Sequence, residues 1–415
     1  MRKFSIAIVS LLSLLFLVTA FTSVDWGFYG HRKINRMAVF TLPPDMMVFY
    51  KKNIEYITDH AVDPDKRRYA TKHEAVRHYI DLDHWGAYPF EDFPRTQLAV
   101  LMEYTDIFIV NQKNDTIQLF GHQLKKEENE IYLKYQISKK KSVVVPKKTY
   151  RSFFYNNIFS SYYEDEWLID CDSMQQYFGD QIELDGCQKV FGVDTFSEYG
   201  VLPFHLVRMQ NKLTTAFKRR NIKSILRLSA EMGHYIGDAH VPLHTTENYN
   251  GQLTNQNGIH AFWESRIPEL FAEKEYDFFV GKAEYIEKKN DFFWDVILTS
   301  HSLLDSVLNI EKEMVQTFPE DQQFCFDDRN GRTIRTQCRE FAKAYSDRMQ
   351  GMVEDRMAAT VYALGSLWYT AWVDAGQPDL SNLGKNNLSK EEQKELEELE
   401  NAFRKGEIKG RVHGN

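Results

Sequence analysis

The sequence predicts a mainly α-helical protein with a partly β insertion, and three observations predict it. Apolar residues recur at helical spacing over about 26–85 and again over 197–375. Between them, over 92–196, β-branched and aromatic runs alternate with polar turn clusters. Both helical stretches carry histidines and carboxylates, and in the second these stand four apart, one turn along a helix face.

The elements follow in order. Arg2 and Lys3 precede an apolar run over 4–20, and Val18-Thr19-Ala20 offers a small-residue cleavage site. Residues 1–20 therefore read as a signal peptide of an exported protein, periplasmic or secreted. A retained anchor is the alternative, although the run is at the short end for a span. Residues 35–40 and 46–57 read as helices broken at Pro43-Pro44. In the insertion, 105–110, 116–120, 130–137 and 142–145 read as strands separated by Asn-Asp, Lys-Glu and Lys clusters.

Helical pattern returns near Pro203, where Leu206, Met209, Leu213 and Phe217 share one face. A buried helix over 225–236 carries His234, and further helices are expected over 268–318 and 340–375. The tail at 386–415 is charged. Ser389 followed by Glu392 is a capping-box pattern, and Leu396, Leu399 and Phe403 form a thin apolar stripe that docks on the body or projects as a solvated helix.

Composition narrows the function. The chain of 415 residues, with 43% hydrophobic and 14% aromatic residues, can bury a large core. A net charge of −8 argues against binding nucleic acid through a broad basic surface. The lysine clusters at 139–141 and 147–148 are local exceptions, able to attract phosphate or a membrane surface. Four cysteines, Cys171, Cys187, Cys325 and Cys338, fit an oxidising compartment. They allow three connectivities, of which Cys171 with Cys187 and Cys325 with Cys338 is preferred because each closes a short polar loop.

The densest chemistry lies between His234 and Glu264. His234 and Asp238 stand four apart, as do His260 and Glu264, and His244 closes the first helix just after Pro242. A carboxylate buried without a partner costs several kcal/mol or shifts its pKa, so a shared cation is the simplest account of an aspartate in this apolar helix. A structural His–Asp hydrogen bond is the bland alternative. Gly237 lowers the bulk beside the pair. His240, two residues from Asp238, points elsewhere. Further ligand types occur in Asp63-Pro64-Asp65-Lys66-Arg67-Arg68, in the run from His78 to Trp85, and in Trp26-Gly27-Phe28-Tyr29-Gly30-His31.

Taken together, these five segments resemble the zinc-dependent phospholipase C / S1–P1 nuclease superfamily, over about 26–85 and 197–375. The resemblance implies a phospholipase C/P1 nuclease-like helical domain over 24–385, with 92–196 inserted in it, holding three zinc ions. It implies a first zinc on Asp63, His78, His234 and Asp238, and a second on His244, His260 and Glu264. A third would share Asp238 and take His31 and the main chain of Trp26. Asp238 then bridges two ions. In the family that Trp is the mature N-terminus and gives its α-amine to zinc, whereas cleavage after Ala20 leaves five residues before Trp26.

The activity so implied is phosphodiester hydrolysis, a zinc-bound hydroxide attacking phosphorus near Asp238 and Asp63, with Lys66 or Arg67 adding positive charge. The substrate motifs are mixed. Trp-Gly-x-x-Gly-His and Val241-Pro242-Leu243-His244 resemble the nucleases, while Glu264 and the short His244-to-His260 spacing resemble the phospholipases. The expected substrate is either phospholipid or single-stranded nucleic acid, with contact to a membrane surface open and no stable protein partner implied. The competing expectation is a catalytically degenerate zinc-binding exported protein.

Overall fold

The computed structural model describes residues 28–160, 166–182, 184, 186–329, 332–383 and 390–405. The expected signal peptide at 1–20 and Trp26 lie outside them. The chain divides into two compact units, Met1–Pro89 with Val201–Asn415, and Phe90–Gly200. Among the described residues the protein is mainly helical, and no helix is long and apolar enough to cross a membrane.

The discontinuous unit is built around the helix Ile222–His240. Asn221 caps it by accepting a hydrogen bond from the Ser224 backbone N–H. Every residue from Ser229 to His240 is buried, so this stretch of the helix has no solvent face. It packs against the helices Phe28–Ala38, Leu202–Lys218 and Met352–Asp374. Close approach to the first is set by two glycines. Asn35 donates to the Ile57 and Ala230 carbonyls, and a Cβ on Gly233 would meet its Oδ1 at 1.7 Å.

Two expected helical stretches are divided. The helix expected over 46–57 divides into Pro44–Lys52 and Ile54–Asp59 at Asn53. The stretch expected over 268–318 becomes Ile267–Glu275, Lys289–Ser302 and Leu304–Thr317, with an extended strap over 276–288. Within the strap the Phe279 N–H donates to Asp277 Oδ1, the Ala283 N–H donates to the Thr41 carbonyl, and three further donors reach the helix Met352–Asp374. The backbone N–H groups of Asp277, Glu284 and Ile286 donate to the side chains of Glu354, Ser366 and Thr370. A buried backbone donor needs some partner, and here side chains of a neighbouring helix supply it.

Antiparallel strands Phe324–Arg329 and Arg332–Gln337 form a hairpin closed by the Cys325–Cys338 disulfide. The C-terminal helix Lys390–Lys405 docks within this unit. Phe403 of its apolar stripe stacks on Phe28 and meets Tyr69 edge-on. Ser389 of the expected capping box lies outside the described residues.

Among its described residues the continuous unit holds seven strands: β1 Thr105–Asn111, β2 Thr116–Phe120, β3 Lys126–Glu128, β4 Tyr132–Gln136, β5 Ser142–Pro146, β6 Glu166–Ile169 and β7 Cys187–Asp194. They form antiparallel sheets in the orders β2-β1-β7-β6 and β3-β4-β5. The inner faces meet the helices Lys147–Phe154 and Cys171–Phe178 over an aromatic core that includes Phe120, Tyr150, Phe153, Phe154 and Phe178. The Cys171–Cys187 disulfide ties the second of these helices to β7.

Candidate metal centre

Five histidines and three carboxylates converge on the flank of the helix Ile222–His240. His234 and Asp238 are fixed by their helical spacing, and both are about 99% buried. His244 is not on this helix, which ends at His240. It sits on the following 3-10 turn Pro242–Thr245. His31 comes from the helix Phe28–Ala38 and stacks on His234 with ring centroids 4.0 Å apart. Gly237 permits this, because a Cβ there would stand 2.9 Å from His31 Nδ1. His260 and Glu264 lie on a short helical turn, Ile259–Ala261, that continues as the π-turn Phe262–Arg266. Such turns are rare and frequent at functional sites.

Asp238 is the common neighbour. Its Oδ2 lies 2.9 Å from His78 Nδ1 and 3.5 Å from His234 Nε2, while its Oδ1 lies 3.5 Å from His31 Nε2 and 3.8 Å from His244 Nε2. Glu264 has the same divided aim. Its Oε1 is 3.3 Å from His31 Nε2, and its Oε2 is 2.6 Å from His260 Nε2 and 3.3 Å from His244 Nε2. The ligand atoms fall into three groups, each within 4.8 Å: His31, His234 and Asp238; Asp65, His78 and His234; and His244, His260 and Glu264.

The imidazoles are aimed by the backbone. Nδ1 of His234, His244 and His260 lies 3.0, 2.7 and 3.1 Å from the carbonyls of Ala61, His78 and Tyr249. A carbonyl only accepts, so Nδ1 carries the proton and Nε2 presents its lone pair to the carboxylates. That is the outer hydrogen bond which orients metal-ligating histidines. The His244 segment is locked in return, since the Ile80 N–H donates to the His244 carbonyl. Beyond His78, the fully buried Glu74 places Oε1 3.8 Å from Nε2, and Glu74 is itself held by Arg67, Arg77 and Tyr235.

Electrostatics agree with this division. Burial, reinforced by neighbouring imidazoles, pushes His78 well below its ordinary range and lowers His234. Burial takes His244 down to about 4. All three are neutral near pH 7, the form that binds metals. Burial by itself would raise Asp65 and Glu264, but His234 beside Asp65, and the close imidazoles of His244 and His260 beside Glu264, hold both well below the usual carboxylate range. Asp238 is driven well above it, first by burial and then by Glu264 and Asp65. Three crowded carboxylates beside neutral imidazoles lack positive charge, and a cation with oxygen and nitrogen ligands supplies it. The donor set therefore fits a bound metal.

The structure corrects three expected roles. Asp63 is not in the cluster. Its carboxylate turns back onto His60 Nδ1 at 2.6 Å, and Asp65 stands in its place, 3.5 Å from His234 Nε2 and 3.9 Å from His78 Nδ1. Lys66 pairs instead with Glu400 at 3.1 Å. Arg67 pairs with Glu231 at 2.7 Å and Glu74 at 3.3 Å. The cation beside the cluster is Arg68, nearly fully buried and 3.6 Å from Asp65. One phase error explains all three. On the helix Asp63–Arg67, positions 63, 66 and 67 share one face, and 65 and 68 share another. Treating 65 and 68 as a pair three apart was the signal available in the sequence.

His240 lies outside the cluster, with Nδ1 on the Ile236 carbonyl and its ring held neutral down to about 3 by burial. Trp26 lies outside the described residues. No family model matches the sequence, and no curated protein matches it either.

Proposed function

We propose that this protein is an exported zinc-dependent phosphodiester hydrolase, as its resemblance to the phospholipase C / S1–P1 nuclease superfamily implies. The observation that carries the reading is the set of three histidines anchored through Nδ1 on backbone carbonyls with Nε2 turned onto shared carboxylates. That arrangement is wasted on a structural hydrogen-bond network, which needs no common focus. The two disulfides support export.

In this reading Asp65, His78, His234 and Asp238 hold one zinc, and His244, His260 and Glu264 a second. His31 and Asp238 contribute to a third, for which Trp26 remains the expected further ligand. Bound zinc would supply Lewis-acid charge to the phosphoryl oxygens and acidify a water for attack on phosphorus. The chain's own part is preorganisation. Backbone carbonyls fix the imidazole tautomers, Arg68 helps keep Asp65 anionic, and the divided oxygens of Asp238 join the histidine groups. Only Asp65 and Glu264 open to solvent, with side chains 18% and 14% exposed, and substrate would approach along that edge.

The test is metal content together with turnover of bis-p-nitrophenyl phosphate, for the wild-type chain and Asp238→Asn. Bound zinc with hydrolysis that Asp238→Asn abolishes is the expected result. Zinc without turnover would mark a binding protein, and near-normal activity of Asp238→Asn with full zinc would sink the assignment. Single-stranded DNA or RNA against phosphatidylcholine micelles then decides between nuclease and phospholipase.

A further inference from the structure

The three-stranded sheet of the continuous unit has a second face that is partly exposed among the described residues. Leu133, Tyr135, Val143 and Val145 point into the aromatic core. Their neighbours point outward, and the register puts Tyr132 opposite Pro146 and Lys134 opposite Val144 on that outer face. Tyr132 is 45% and Val144 42% exposed, and the adjoining Ile131 is 62% exposed. The Lys147 N–H donates to the Ile131 carbonyl, which sets Lys147 and Lys148 beside this apolar end.

Charge is concentrated here. Residues 123–148 carry eight lysines against three glutamates, in a chain whose net charge is −8. Lys125, Lys126, Lys134 and Lys147 are paired with Glu127, Glu103 and Glu128. Lys139, Lys140 and Lys141 at the β4–β5 tip, and Lys148, are exposed and have no ion pair among the described residues. The next helix extends the pattern, with Lys148, Arg151 and Tyr155 exposed at spacings of three and four.

We propose that this face is a docking surface for an anionic phospholipid bilayer. Lysine ammonium groups reach anionic headgroups while Ile131, Tyr132 and Val144 enter the headgroup boundary. A nucleic-acid strand fits less well, because base stacking calls for an aromatic platform, and the exposed rings here, Tyr132 and Tyr155, lie on separate elements among aliphatic side chains. The surface belongs to the continuous unit, the candidate metal ligands to the other, and the proposal does not rest on the proposed catalysis.

Sedimentation of the full chain with vesicles tests it, in chelator so that the metal centre plays no part. The protein should bind phosphatidylcholine vesicles containing phosphatidylglycerol, bind pure phosphatidylcholine far more weakly, and release as salt rises. Neutralising Lys139, Lys140 and Lys141 together to Gln should weaken binding roughly a hundredfold, at about fivefold per lysine. The pair Ile131→Ser and Tyr132→Ser should weaken it while leaving the salt dependence in place. All five positions are exposed, and an unchanged circular dichroism spectrum confirms folding of each variant. Absence of binding, equal binding to neutral vesicles, or undiminished binding by the lysine variant would overturn the proposal. So would tighter binding of single-stranded DNA through the same lysines.

Discussion

The two units hide very different things in their interiors. Phe90–Gly200 buries rings: Phe120, Tyr150, Phe153, Phe154 and Phe178 meet at centroid distances of about 5 Å, and the hydroxyls of Tyr135 and Tyr150 find each other. The other unit buries His31, His78, His234, His244, His260 and Asp238 along its central helix. Apolar burial stabilises whatever the pH and the ions present. A buried polar cluster stabilises only when its charge is balanced. The first unit should therefore be stable on its own terms, and the second should depend on metal and pH.

The largest expected effect breaks the first half of this contrast. Phe154→Ala should destabilise the continuous unit by about 3–5 kcal/mol, the range for a truncated core phenylalanine. Metal content should stay unchanged, and a denaturant melt read beside a metal titration checks both. Lost metal would show that the two interiors are coupled.

Next comes the exchange of aspartates. Asp65→Asn should lower affinity for zinc by more than about 100-fold, beyond the usual cost of an outer hydrogen-bond partner. Asp63→Asn should change it little. Competition against a chromophoric chelator measures both, and the reverse order would restore Asp63 as the ligand.

Acid sharpens the contrast further. Burial, aided by Arg77 and Lys212, holds His205 well below its ordinary value of 6.5. A depressed histidine binds fewer protons folded than unfolded, so its contribution is full above about pH 6.5 and declines as pH falls toward the folded value. His205→Phe should therefore flatten the acid limb of the stability curve below about pH 6.5. A parallel shift at all pH values would assign His205 a packing role alone.

The smallest effects lie at the edges of the centre. Glu74→Gln keeps the shape behind His78 and removes the charge, and should cost about tenfold in zinc affinity. Phe403→Ala should cost the discontinuous unit about 1 kcal/mol, since one partly buried ring is lost from the docked helix.

Much of the local structure was legible because its causes are local. The runs at 105–110, 116–120, 130–137 and 142–145 carry period-two patterning and turn residues, and strands form there. β6 and β7 escaped notice: β7 lacks a clean alternation and takes its place by pairing with β1 and β6 over long sequence separation. Both disulfides join the nearer cysteines, as short loops favour. The strap over 276–288 falls in a stretch expected to be helical, and its partners Glu354, Ser366 and Thr370 lie some 80 residues away.

The candidate centre divides the same way. The sequence by itself determined that His234 and Asp238 meet, and His260 and Glu264, because four residues make one helical turn. Only the tertiary structure decided between Asp63 and Asp65. The helix Asp63–Arg67 is five residues long with charged residues at four of its five positions, so its composition does not say which aspartate meets the histidines. Packing sets that rotation. It sends Asp65 and Arg68 to the histidines, and Asp63, Lys66 and Arg67 to His60, Glu400 and Glu231.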